Sequence, residues 1–203
     1  MRRALFIASV VVLASCTQSG GPVLPPSQVG TPNIPCYVVK QDPTTVKATI
    51  TFYGWPDNSP PGNKIQHPII HKHAGGDGTY CNPTTFATER KNNKDIPYGI
   101  KIYVPFLKQY FIREDLCAPS GPKSGSGSNG CYGLWFDLWI GGTKTSNKHA
   151  VIACEQKLTP NGKASVILWP DNGLPVEHPG PIYRNSPPPD GTCYGKASAI
   201  LPN

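Results

Sequence analysis

The stretch FDLWIGG, Phe136 to Gly142, sets one carboxylate, Asp137, inside an apolar and aromatic run. An unpaired charge is costly to bury, so Asp137 is either a structural pin, held by backbone N–H groups or a cation, or a working acid. As an acid it has suitable neighbours: an apolar wall of Trp135, Phe136 and Trp139 raises a carboxyl pKa toward neutrality, which proton donation to a leaving oxygen requires. Asp115 stands in IREDLC (Ile112 to Cys117), and Asp57 in YGWPDNSPPG (Tyr53 to Gly62), whose Asp57-to-Gly62 part is also simply a good turn. His67, His71 and His73 in HPIIHKH, followed by Asp77 and Cys81, are residue types that bind zinc or copper. Their context is loop-like and Cys81 is needed for an even disulfide set, so no metal and no cofactor are expected, and the histidines are read as hydrogen-bonding groups at a groove rim.

The elements that carry these residues read as short strands. With 24 Pro and 21 Gly in 203 residues, the composition argues against a helical bundle and for an all-β domain with long loops. Val46 to Tyr53 alternates, Ile100 to Val104 follows a turn at Pro97-Tyr98-Gly99, Tyr110 to Arg113 leads into Glu114 and Asp115, and Leu134 to Ile140 carries Asp137. Ala150 to Leu158 and Ala164 to Trp169 flank Pro160-Asn161-Gly162, a hairpin signal. Ser120 to Gly130 is a low-complexity loop, and no long helix is expected.

The leader speaks to compartment. Arg2 and Arg3, an apolar run from Ala4 to Leu13, and small residues before Cys16 read as a signal peptide. Leu13-Ala14-Ser15-Cys16 resembles the lipobox of bacterial lipoproteins, which implies lipidation of Cys16 over 1–16 and a flexible tether over 17–35. Removing Cys16 from seven cysteines leaves Cys36, Cys81, Cys117, Cys131, Cys154 and Cys193, enough for three disulfides. Cys117 with Cys131 is the first expectation, because the two bracket a short loop. Without the two leader arginines, 17 basic residues stand against 12 acids, scattered and without a nucleic-acid-binding motif, so nucleic acid is not an expected partner and a monomer is.

In order along the chain, TFYG (Thr51 to Gly54), IPYGIKIYVP (Ile96 to Pro105), IREDLC and FDLWIGG resemble the double-psi β-barrel superfamily: barwin, RlpA-like proteins, expansins, small inverting endoglucanases and the three-aspartate domain of lytic transglycosylases. The resemblance runs from about Ala48 to Leu158. It implies a six-stranded double-psi β-barrel over 36–203, with disulfide-stapled loops and a C-terminal β-hairpin extension. It also implies that Asp137 protonates a glycosidic oxygen, with Asp115 stabilising charge nearby. Asp57 lies two positions beyond the place of the endoglucanase base, and Tyr53, Trp55, Trp135 and Trp139 would stack on sugar rings. The expected function is binding, and potentially cleavage, of wall polysaccharide (peptidoglycan or another β-linked glycan) by an exported, lipid-anchored protein. A glycan-binding module without turnover, and a protein-binding barrel such as a secreted protease inhibitor, are the alternatives.

Overall fold

A computed structural model describes residues 36, 41–58, 60–90, 94–117, 131 and 133–196. The leader with Cys16, the tether 17–35 and the loop 120–130 lie outside the described residues. The elements are β1 (Thr44–Gly54), β2 (Thr84–Thr88), β3 (Lys101–Val104), β4 (Gln109–Leu116), β5 (Trp135–Gly141), α1 (Lys148–Leu158), β6 (Lys163–Leu168), β7 (Tyr183–Arg184) and β8 (Thr192–Cys193).

Six strands close into a barrel in the order β1-β6-β3-β4-β2-β5, with β5 pairing back to β1. The β1–β5 and β2–β4 pairs are parallel, and the other neighbours are antiparallel. Period-two alternation fills the interior: Ala48, Ile50 and Phe52 of β1 join Phe136, Leu138 and Ile140 of β5 in one buried cluster. Phe86 meets Phe136 edge to face, with centroids 5.3 Å apart. Full burial of each such side chain contributes about 1.5–3 kcal/mol. The same alternation turns Trp135, Asp137 and Trp139 to the other face of β5, where Thr49, Thr51 and Tyr53 are their partners across the ladder. Asp137 therefore sits in an apolar run without entering the barrel core.

Two expectations need correction. The protein is mostly β rather than all-β, and Ala150 to Leu158 is not the first arm of a hairpin. It lies in α1, which Asn147 starts by accepting the N–H groups of His149 and Ala150. Val151, Cys154, Glu155 and Leu158 are its buried residues, at spacings of three and four, so tertiary burial selects the helix over the strand that the run Ala150 to Cys154 suggests. Pro160-Asn161-Gly162 then links α1 to β6, the last barrel strand, rather than pairing two hairpin arms. The strand β2 has no sequence expectation behind it: all five of its residues are buried, but three are threonines, so neither an apolar run nor a polar alternation marks it.

After β6 the chain wraps the barrel as a strap. Tyr110 Oη donates to the Asp171 carbonyl and accepts from Leu174 N, each at 2.8 Å, and Tyr103 Oη donates to the Pro175 carbonyl at 2.7 Å. Three disulfides join Cys36 to Cys81, Cys117 to Cys131 and Cys154 to Cys193, the second being the pair expected from the sequence. They are consistent with an exported or extracellular protein.

Candidate functional site

A cleft of about 140 Å³ opens on the outer face of β1, β4 and β5, and Tyr53, Asp57, Asp115, Cys117 and Asp137 are among its lining residues. The three aspartates singled out in the sequence thus meet in one place, although they are 22 to 80 positions apart. A larger hollow of about 250 Å³, beside Leu107, Gln109 and Tyr194, holds none of them, and its Glu177 is paired with Lys108. The aspartates singled out in the sequence therefore belong to the smaller cleft.

Asp137 is held by a relay. Trp135 Nε1 donates to Thr51 Oγ1 at 2.7 Å, and Thr51 Oγ1 donates to Asp137 Oδ1 at 2.7 Å. Burial pushes the Asp137 carboxyl up, the Thr51 bond pulls it down, and the charges of Asp57 and Asp115 push it up again. The result is a pKa raised to about 7.

Asp115 is aimed by a bulge. Opposite β2 the register jumps from Phe86↔Arg113 to Ala87↔Asp115, leaving Glu114 as the extra residue and re-aiming the side chains around it. Asp115 Oδ1 accepts Leu116 N at 2.9 Å and Gln66 N at 3.0 Å, and Oδ2 accepts Tyr53 Oη at 3.1 Å. Burial outweighs these donors and raises its carboxyl pKa. Asp57, exposed at the cleft mouth, accepts Gly54 N at 2.8 Å, so it both forms the turn and lines the cleft.

The aromatic residues divide. Trp139 is 4% exposed and meets Tyr53, 8% exposed, edge-on at 5.2 Å, so Tyr53 lines the cleft with Trp139 packed against it, and both offer little open ring face. Trp55 and Trp135 pack half-buried against that cluster. They are the two of the four expected stacking residues that retain exposed surface.

The histidines do not converge. His71 Nδ1 bonds Glu114 Oε2 at 2.7 Å and its Nε2 meets Asn82 Oδ1 at 2.8 Å, while His67 stacks on Tyr98 with centroids 3.8 Å apart. No group of three or more His, Cys, Asp or Glu among the described residues has the arrangement of a metal site. His67 lies close enough to Asp115 for its charge to favour the ionised carboxylate. Glu114, fully buried, accepts Ile69 N, Ile70 N and His71 N on Oε1 and Thr85 Oγ1 on Oε2. It fastens the loop before β2 to the barrel.

One carboxyl was missed from sequence. Glu155 of α1, 7% exposed, lies against the end of β1, and burial with the charges of Asp57 and Asp137 raises its pKa to about 9. The signal for it is the three-and-four spacing of Val151, Cys154, Glu155 and Leu158, visible only once α1 is read as a helix.

The match to known proteins covers this whole arrangement. A model of the DDB_G0273701 N-terminal domain matches residues 45–194, which include every barrel strand but the first residue of β1, the cleft and most of the strap. The chain belongs to this family. A relative from Dictyostelium discoideum, described as an uncharacterised protein, is 36% identical over 132 residues. The match covers 64% of this chain and 54% of the relative, so the chain spans about half the length of the curated relative it matches. No solved structure matches.

Proposed function

We propose that the cleft binds a wall polysaccharide, peptidoglycan or another β-linked glycan, and that Asp137 is the acid for its cleavage. The observation that carries this reading is a carboxyl with a pKa of about 7, held by Thr51 and opening on a cleft with two further aspartates. Such an acid keeps a transferable proton near neutrality. In hydrolysis, water adds to the anomeric carbon as the glycosidic C–O bond breaks. Asp137 passes its proton to the leaving oxygen, and Asp57 takes one from the water. Asp115, already hydrogen-bonded three times, stabilises charge, and Trp55 and Trp135 supply ring surface for the sugar.

The barrel is, on this reading, of the double-psi type, supported by its two parallel pairs, β1–β5 and β2–β4. The leader would be removed at Cys16 and the domain lipid-anchored to the cell envelope through residues 17–35. Incubation of the purified protein with peptidoglycan, chitin and cellulose, with bound protein and released fragments scored by mass spectrometry, tests the function. New reducing ends are expected. Anhydro-sugar ends would instead identify a lytic transglycosylase, in which a sugar hydroxyl replaces water and no Asp57 base is needed. Absence of both binding and fragments on all three polymers refutes the reading.

A further inference from the structure

Asp57 alone, exposed on a turn, is a poorly fixed base, but α1 brings a second carboxyl to it. A Cβ on Gly54 would lie 2.7 Å from Val151 Cγ1 and 3.1 Å from Glu155 Oε1, so only glycine lets the helix approach this closely. The Gly54 N–H simultaneously holds Asp57 Oδ1 at 2.8 Å. One residue thus seats Glu155 and anchors the carboxylate beside it. Asp57 acts on Glu155 through charge and a side-chain hydrogen bond, and Asp137 acts on it through charge. Two carboxyl groups can hydrogen-bond only if one carries a proton, and Asp57 has solvent to support its charge whereas Glu155 is buried. Glu155 Oε1 also accepts no hydrogen bond from an N–H or hydroxyl donor among the described residues, which suits a neutral acid and is costly for a buried carboxylate.

We propose that Glu155 is a positioning residue: as a neutral acid on α1 it donates its hydrogen bond to the Asp57 carboxylate and fixes Asp57 as the base in the same cleft as Asp137. This rests on the glycan-cleaving reading for its purpose, while the pairing itself does not. It favours attack by water over attack by a sugar hydroxyl, since water attacking from the opposite face needs a second carboxylate as base, whereas the hydroxyl can give its proton to the carboxylate left once Asp137 has protonated the leaving oxygen.

Carboxyl-carbon NMR titration of the full protein measures the pairing without turnover. Glu155 should remain protonated through neutrality, with a transition at about 9. In Asp57→Asn, which removes the neighbouring charge at an exposed position, that transition should fall by about one pH unit or more. A parent transition near the ordinary glutamate value of about 4.3, or one indifferent to Asp57→Asn, overturns the proposal. On a cleaved polymer, Glu155→Gln still donates and should retain about tenfold more kcat than Glu155→Leu at similar KM. Equal losses in both variants overturn the positioning role. A parent that cleaves nothing strikes the glycan-cleaving reading and with it the role in positioning a base, while the titration still decides the pairing.

Discussion

Thr51 and Asp137 are direct partners in the parallel β1–β5 ladder, and the Thr51 hydroxyl donates to Asp137 Oδ1 at 2.7 Å. Because the Trp135 indole already donates to the same Thr51 oxygen, the hydroxyl proton is committed to Asp137. Thr51 favours the ionised acid and burial the neutral one, and burial wins.

Asp137→Asn keeps shape and removes the transferable proton, so cleavage should fall by about 100-fold or more. Parent activity should decline as pH rises through about 7, where the acid loses its proton. The stability sign follows from the same shift. A carboxyl raised from about 3.9 unfolded contributes stability that is complete below that value and lost as pH rises through the folded value. Thermal melts of Asp137→Asn should therefore drop less than those of the parent between pH 5 and 8. A large melting loss in the variant at neutral pH, with activity per folded molecule intact, would mark Asp137 as a structural pin.

Thr51→Val removes a hydrogen bond to the charged form. Losing it should move the fall in activity to higher pH by about half to one unit. A pH–rate profile of the variant on the cleaved polymer reads this directly.

Half-buried His71 and buried Glu114 form an ion pair of opposite linkage. The Glu114 pKa is lowered, so its contribution disappears as pH falls below about 4.3; the His71 pKa is raised, so its contribution is full below about 6.5 and fades above. Glu114→Gln breaks the pair and should cost about 3–5 kcal/mol between those limits. Melting temperature followed from pH 2 to 9 should show the parent's advantage over the variant disappearing only below about pH 4, and shrinking in part above about 6.5, where His71 loses its charge while the backbone N–H groups of Ile69, Ile70 and His71 still bond Glu114.

Cys117→Ser with Cys131→Ser opens a loop of 14 residues and should cost about 3 kcal/mol. Cys117 also lines the cleft, so glycan binding should weaken along with stability. Thiol labelling of the folded domain without Cys16 should find no free cysteine. Cys16→Ser should release the protein from membranes, and equal membrane fractions for variant and parent would refute lipidation.

The barrel was legible where its strands alternate or carry short apolar runs bounded by turn residues. β1 and β5 alternate, and the outward turn of Asp137 follows from that period. β2 was hidden because three of its five residues are threonines, which mark no apolar run although all are buried, and α1 because its β-branched start looks extended when the burial spacing is unknown. Asp115 was singled out in the sequence, but the task of Glu114 was not, since only the bulge opposite β2 sends the two neighbours to different places, one locking a loop and one facing the cleft. Glu155 was lost with its helix.

The bond between Cys154 and Cys193, 39 positions apart, closes a covalent ring with β6 inside it. Tension applied to the chain beyond Cys193 is passed straight into α1, and β6 lies off the force path. The strap therefore acts mechanically as a strain relief, and pulling on that end cannot peel the last barrel strand away while the disulfide is intact.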